Sequence, residues 1–293
     1  MPEGINQLFL IDKGVRDGET MKDRHVIEAL GRTKVIIEDG KVTYVGEPEV
    51  TFCPLFARHR GLETITREAI RENIEFRIKD FGFCTPDRSL RMKDFLSFGI
   101  SELMAMCIKN GAIDAAVLVS DGAGTVVSND PELIQGIGGR MSGMIETTPI
   151  LEIVEAIGRE NVLDPEKGTI DQFAGTQLAF KLGYRKVAVT LARAEDARAI
   201  RDAFGQNVIL FAVHTSGLDQ KDARTIFETC DIVSGCASKW VREEAKTKAL
   251  LQAGTKVPIY AASEIGKEII QRRRAQAGVK KTDGPEEPPR PLF

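Results

Sequence analysis

The sequence predicts an α/β protein, with a parallel sheet flanked by helices in its C-terminal half and an irregular α+β N-terminal half containing a β-hairpin. Two observations support this prediction. Between Ile170 and Arg273, short apolar runs of strand length alternate with amphipathic segments of helical length, as in a parallel sheet covered on both faces. Further upstream, two β-rich runs flank Asp39-Gly40, a pair that accepts the positive φ angles of a tight hairpin turn.

The elements of the N-terminal half follow one another without a regular repeat. We predict, in order, a short helix in HVIEALG, the hairpin KVIIEDGKVTYVG, a helix in TREAIRENIEFRIKDFG, a helix through DFLSFGISELMAMCIKNG, the strand AAVLVS and a returning strand in TVVSN. Ile70, Ile74 and Ile78 support the first long helix, because a spacing of four residues places them on one helix face. A glycine-rich loop, QGIGGRMSGM, closes this half.

The second half contains four strands separated by helices. We expect KVAVTL, NVILFAV, DIVSGC and VPIYAA to lie adjacent and parallel in one sheet. Ligands of such sheets bind beyond the carboxyl ends of the strands. Here those ends are small or polar, at Thr190, 214–217, 235–238 and Ser263, so this edge is the expected location of a site.

The predicted domain organisation has three parts. Residues 1–146 form the α+β region and residues 147–278 the parallel-sheet region. Residues 279–293 are charged and rich in proline, a composition that cannot bury a core, and we expect a disordered tail.

Composition excludes several classes of protein. The chain has 293 residues, 42% of them hydrophobic, and a net charge of -3, which gives no reason to expect a nucleic-acid or membrane partner. The apolar runs are too short to span a bilayer, and the first residues lack the regions of a secretory signal. Five cysteines are an odd and sparse set, so we expect reduced thiols in a cytoplasmic protein.

The glycine-rich stretch is a candidate for cofactor or anion binding. Gly136, Gly138 and Gly139 would let the backbone approach a phosphate, and Arg140 could add a bidentate contact. However, the third glycine of a dinucleotide fingerprint would fall at Met141, and the Gly-Lys-Ser/Thr of a Walker A loop is missing. A packing or turn role therefore stays open.

Asp121 is a second candidate in the cofactor-binding class. Its carboxylate could ligate a metal or contact a ligand hydroxyl. It also begins Asp121-Gly122-Ala123-Gly124, which reads as the loop of a hairpin joining AAVLVS to TVVSN. Turn chemistry alone accounts for these residues, so the hairpin interpretation is favoured.

The cysteines fall into two groups. Cys107 and Cys230 have apolar or helical surroundings and are expected to be structural. Cys53 and Cys84 lie in polar loops, and Cys236 lies where a strand passes into a helix. These three thiols could meet as ligands of a zinc ion or an iron–sulfur cluster, although no C-x-x-C spacing supports such a site. A lone reactive Cys236 is the alternative.

His214 and Ser216 follow the strand NVILFAV and complete the candidate catalytic residues together with Cys236. His214 could act as a general base or a ligand at the strand end, or it could be a structural histidine. Ser216 does not lie in a Gly-x-Ser-x-Gly elbow, so a hydrolase triad is not indicated.

Several phrases of the sequence resemble one archaeal family. They are IEALG, VIIEDGKVTYVGEP, CPL, NIEFRIKDFGFCTPDR, DGAGTVV, PELIQGIGGRMSG, TTPI, LDP, AVHTSG and GCASK. Together they resemble the methanogenesis marker protein 8 family, over nearly the whole chain up to about Gly266. The resemblance implies an anaerobic cytosol and a role linked to methane formation, but no reaction and no catalytic residues. It gives more weight to a metal at the loop cysteines, since exposed thiols persist in a reducing cytosol.

Two functional hypotheses follow. The first is an enzyme or cofactor-binding protein with an acidic or phosphorylated ligand at the strand ends. The second is a non-catalytic accessory factor for a methanogenic enzyme complex. The first predicts that 136–143, His214 and Cys236 converge on a concave pocket, whereas the second predicts a flat apolar surface.

Overall fold

The computed structural model describes residues 23–93, 98–141, 143–254, 257–277 and 288–293, which form two sheets with flanking helices. The strands are β1 (Arg24–Ala29), β2 (Thr33–Glu38), β3 (Lys41–Val45), β4 (Ala115–Ser120), β5 (Gly124–Ser128), β6 (Gly143–Thr147), β7 (Val187–Leu191), β8 (Val208–Ala212), β9 (Ile232–Ser234), β10 (Leu251–Ala253) and β11 (Ile259–Ala261). The helices are α1 (Pro54–Arg60), α2 (Arg67–Phe81), α3 (Ile100–Lys109), α4 (Pro131–Gly138), α5 (Leu151–Ile157), α6 (Gln172–Lys181), α7 (Ala194–Phe204), α8 (Gln220–Thr229), α9 (Lys239–Lys248) and α10 (Glu264–Ala277).

The smaller sheet is antiparallel, with the strand order β3-β2-β1-β6. The predicted hairpin is confirmed as β2 and β3, and Asp39 and Gly40 take φ angles of 49° and 70° at its turn. The helix predicted in HVIEALG is wrong, because Arg24–Ala29 is a strand paired on both sides, with β2 and β6. The segment HVIEALG is too short for its apolar residues to distinguish the period of a helix from that of a strand.

The larger sheet has the strand order β10-β11-β9-β8-β7-β4-β5. Four of its strands, β4, β7, β8 and β9, are parallel neighbours, which confirms the predicted parallel sheet. VPIYAA does not continue it as predicted, since β11 pairs antiparallel with β9. The additional short strand β10 pairs antiparallel with β11 and forms the edge of the sheet beyond it.

Helices cover both faces of the larger sheet because its side chains alternate between them. Ala116 and Leu118 of β4 join one apolar core with residues of α3, α4, α5 and α10. Ala115 and Val117 face the opposite core, with residues of α6, α7, α8 and α9. None of the helices in the described ranges is both long and apolar enough to cross a membrane.

The last six residues pack against the body of the protein. Arg290 forms a β-bridge with Phe52, and the Phe293 N–H donates to the Ala237 carbonyl over 3.0 Å. Leu292 and Phe293 contact the core beneath the smaller sheet. This part of the predicted tail is therefore packed, while 279–287 and the N-terminal residues 1–22 lie outside the described residues.

Candidate functional site

A cleft of about 450 Å³ lies at the carboxyl ends of β4, β7, β8 and β9. One wall is formed by the strand ends, including Thr190, Val213 and Ser234. The facing wall comes from β1, β6 and the start of α3, and includes Met104 and Met144. The cleft thus lies where an open α/β sheet usually binds its ligand, and its volume is that of a small-molecule site.

His214 and Cys236 both line this cleft, as their positions after β8 and β9 predict. Both take left-handed backbone conformations, with φ angles of 52° and 36°. For a residue with a Cβ this conformation costs roughly 1–2 kcal/mol, so the surrounding structure must hold it. Two strained residues in one cleft indicate that the positions of these side chains are imposed by the fold.

Glu28 also lines the cleft, and its carboxylate lies 4.0 Å from the Arg32 Nε. It is the cross-strand partner of Gly143 in the β1–β6 pair. A Cβ on Gly143 would lie 3.4 Å from the Glu28 Cβ and 3.6 Å from the His214 Cγ. The missing side chain of Gly143 therefore leaves space between the Glu28 backbone and the His214 ring.

The walls of the cleft change the acid–base properties of both groups. The His214 side chain is solvent accessible, but the protein atoms packed around it desolvate the ring and lower the pKa of His214 below its ordinary value. Burial raises the pKa of Glu28, while the nearby Arg32 acts in the opposite direction. At neutral pH the lowered pKa of His214 favours a neutral imidazole that can accept a proton.

Hydrogen bonds fix the polar groups at the floor of the cleft. The Cys236 Sγ lies 3.3 Å from the Ser234 Oγ. The Gln172 Oε1 accepts from the Thr125 hydroxyl over 2.8 Å, and its Nε2 donates to the Thr190 carbonyl. Both polar ends of the Gln172 amide are thereby held, which makes this side chain a fixed part of the wall.

Ser216 and Asp121 both accept hydrogen bonds from backbone groups of the protein. The Ser216 Oγ accepts from the Ala237 N–H over 3.0 Å and so links the loops after β8 and β9, outside the cleft lining. Asp121 is fully buried in an ion pair with Arg88 Nε at 3.0 Å and accepts from the Cys84 N–H over 2.8 Å. Its oxygens are occupied by protein donors, which argues against ligand binding at Asp121 and fits the hairpin between β4 and β5.

The glycine-rich stretch does not form a phosphate-binding loop. Gly136 and Gly138 belong to α4, and the Gly139 N–H donates to the Gln135 carbonyl over 2.8 Å. A Cβ on Gly136 would lie 1.8 Å from the Leu90 carbonyl oxygen, so this glycine permits close packing. The helix uses the amides of these glycines, which leaves them no free donor for the predicted anion contact. Gly138, Met141 and Gly143 line the cleft together with His214 and Cys236, as the first hypothesis predicts, whereas Arg140 lies over the Phe81 ring outside the lining.

The loop cysteines are not assembled into one set of ligands. Cys84 is buried beside Asp121, and burial followed by the Asp121 charge raises the pKa of its thiol well above the usual value. Burial raises the pKa of Cys53, the residue that precedes α1, and the nearby Cys236 thiol raises it further. Across the residues that the structure describes, no three His, Cys, Asp or Glu side chains are grouped to hold a metal ion.

The two cysteines expected to be structural are buried. Desolvation raises the pKa of Cys107 and of Cys230 to about 12, so neither thiol is reactive at neutral pH.

The sequence pattern did not reveal Glu28. Reading HVIEALG as a helix concealed an acidic residue within a strand that faces the cleft. An acid within a run of β-branched residues marks an unusual position, because burying a charge requires a reason, but it does not show which side chains face that acid.

Two comparisons with known proteins bear on the family of this chain. The family model described as "uncharacterized protein conserved in archaea" (DUF2099) matches residues 25–275. The chain is also 44% identical to "Uncharacterized protein MJ0054" of Methanocaldococcus jannaschii over 256 residues, which cover 86% of this chain and 90% of the relative. Because the family match covers most of the chain, this protein belongs to that archaeal family.

Proposed function

We propose that the protein binds a small organic molecule in the cleft and acts on it with Cys236 and His214. The observation that carries the proposal is that these two strained residues and Glu28 line one cleft at the carboxyl edge of the parallel sheet. A thiol supplies a nucleophile, a neutral imidazole can accept a proton, and Glu28 adds a carboxyl group to the lining.

The walls of the cleft favour a ligand with an apolar body and a polar end. Met104, Met144 and Ile145 provide the apolar surface, and methionine adapts to irregular shapes. Among the lining residues in the described part of the chain, Arg193 is the one arginine or lysine, and it is paired with Glu195. A neutral or weakly charged ligand therefore suits this cleft better than the strongly acidic one expected from sequence.

Ligand retention tests the proposal directly. The full chain is expressed and purified without oxygen, denatured, and its released small molecules are identified by mass spectrometry. We expect one compound to accompany the wild type and to fall at least about tenfold in Cys236→Ala and in His214→Ala, which each remove a contact in the cleft. Cys53→Ala is the matched control, because Cys53 lies outside the cleft lining, and it should retain the compound.

The opposite result supports the alternative function. Two results would contradict the proposal. One is an unchanged amount of compound in both cleft variants. The other is a wild type that carries no compound and whose Cys236 is alkylated at the same rate with and without each extracted metabolite. The protein would then fit better as a non-catalytic factor of a methanogenic enzyme complex, the role that the family resemblance leaves open.

A further inference from the structure

Residues 288–293, which we call the strap, contact both the segment that joins β3 to α1 and the loop that joins β9 to α9. At the first contact, the Arg290 N–H donates to the Phe52 carbonyl over 3.0 Å, and the Arg290 carbonyl accepts from the Phe52 N–H over 3.1 Å. The Arg290 Cζ also lies 4.3 Å from the centroid of the Phe52 ring. One end of the strap is therefore paired with a segment beside the smaller sheet.

The other end of the strap is bonded to the loop between β9 and α9. The Phe293 N–H donates to the Ala237 carbonyl over 3.0 Å, and the Phe293 carbonyl accepts from the N–H of Lys239, the first residue of α9. The first amides of a helix have no partner within it, so this carbonyl satisfies one of them. Ala237 directly follows Cys236, and the strap is thus bonded to the backbone of the loop that carries the cleft thiol.

Apolar side chains anchor the strap. Leu292 and Phe293 pack against the core of the smaller sheet, which also includes the buried Ala237. The Arg32 Cζ lies 5.5 Å from the centroid of the Phe293 ring, and the Arg32 Nε lies 4.0 Å from the carboxylate of Glu28 in the cleft. The strap therefore contacts the immediate neighbour of a lining residue on each wall of the cleft.

The loop that carries Cys236 depends on contacts from outside itself. The φ angle of Cys236 is 36°, a left-handed conformation that a residue with a Cβ keeps only where its surroundings hold it. The Ser216 Oγ accepts from the Ala237 N–H, and the Arg242 Nη2 donates to the Cys236 carbonyl, each over 3.0 Å. The strap adds the bonds to the Ala237 carbonyl and the Lys239 amide. Its removal would break both bonds and allow the loop to relax.

We propose that the strap positions Cys236 in the cleft and that Phe293 is its main positioning residue. This role rests on the proposed function, in which the Cys236 thiol reacts with a bound molecule and must therefore be held in place. When the strap is released, the loop can leave its strained conformation, and the half-buried thiol becomes more accessible to solvent.

Site-resolved alkylation of the full chain in the absence of oxygen tests this role. Wild type and variants are treated with iodoacetamide, and the labelling of each cysteine is followed over time by mass spectrometry of peptides. We expect Cys236 to be labelled about fivefold faster or more in a variant that lacks 288–293 and in Phe293→Ala, because the loop opens more often. Phe293→Tyr should stay close to the wild-type rate, because it keeps the ring and the backbone donor.

Leu182→Ala is the matched control for the loss of an apolar side chain. Leu182 lies between α6 and the start of β7, at the edge of the larger sheet opposite the cleft, so Cys236 should keep its wild-type rate. The buried Cys107 and Cys230 report unfolding and should stay unlabelled in every variant. A Cys236 rate within about twofold of the wild type in both strap variants, or equal gains at Cys236 and the two buried thiols, would overturn the role of the strap.

The strap and the proposed function can fail independently, because alkylation by iodoacetamide needs no bound ligand. Faster alkylation in the strap variants, together with a wild type that retains no compound, would support the strap and contradict the proposed function. A compound whose retention needs Cys236 and His214, together with an unchanged alkylation rate in the strap variants, would contradict the strap alone.

Discussion

At the scale of residues, the cleft is distinguished by two lining residues whose backbone conformations are strained. Among the described residues, five that are not glycine have positive φ angles, and two of them, His214 and Cys236, line the cleft. The sequence indicated both through their positions at strand ends. It could not indicate their strain or the facing carboxyl of Glu28, because both depend on how the two sheets meet.

Asp121 illustrates a polar residue whose role is structural. Its side chain and that of Arg88 are fully buried, and Arg88 also donates to the Gly136 carbonyl over 3.1 Å. We expect Asp121→Asn to lower the free energy of unfolding by about 3–5 kcal/mol, because it leaves a buried guanidinium without its counter-charge. Urea denaturation followed by circular dichroism measures the change.

The control for this substitution is an exposed ion pair. Arg67 and Glu47 are in contact at 2.9 Å on the surface, with Glu47 78% exposed, so Glu47→Gln should cost less than about 1 kcal/mol. Equal losses in the two variants would show that the Asp121–Arg88 pair contributes no more than a surface contact.

At the scale of elements, the sequence predicted most of the helices and parallel strands because their periods are long or repeated. The errors fall on short segments. VPIYAA has the composition of a buried parallel strand, but its direction is set by pairing with β9 and β10, which local sequence does not encode. Glycine weakens helices, so the sequence favours a loop for the glycine-rich stretch, yet α4 needs a glycine at position 136 to pack against Leu90.

Gly136 allows α4 to approach the neighbouring chain at Leu90. We expect Gly136→Ala to destabilise the protein by several kcal/mol, since the new Cβ would lie 1.8 Å from a backbone oxygen that must move. The melting temperature, read by differential scanning fluorimetry, would show the loss. Gly46→Ala is the comparison, because the nearest atom to its Cβ would be 3.4 Å away. A melting temperature for Gly136→Ala equal to that of Gly46→Ala would contradict the close approach.

At the scale of the whole molecule, the location of the site could be predicted but its second wall could not. Parallel strands with polar carboxyl ends predict a ligand edge. The opposing wall comes from β1 and β6, which are more than one hundred residues apart in the chain and pair antiparallel. Single-sequence periodicity carries no information about such pairing, so the cleft and Glu28 emerge only from the folded arrangement.

The central strands of the larger sheet should be the most stable part of the fold. All five residues of β8 are buried, and β8 is paired in parallel on both sides, whereas β10 has three residues at the edge. We expect amide hydrogens of β8 to exchange with deuterium far more slowly than those of β10, because they open only in global unfolding. Exchange followed by mass spectrometry after peptic digestion tests this, and equal rates would contradict it.

The antiparallel strand pairs at both ends of the larger sheet also affect whether two molecules can associate through their sheet edges. A parallel sheet that ended at β4 or β9 would expose a row of unpaired backbone N–H and C=O groups, with which a strand of a second molecule could pair. Instead, β5 is fully buried and its Thr125 bonds to residues 163 and 169, while the opposite edge is only three residues long. The strands that carry the cleft are therefore shielded from edge-to-edge aggregation, so a high protein concentration in the cell does not threaten them by that route.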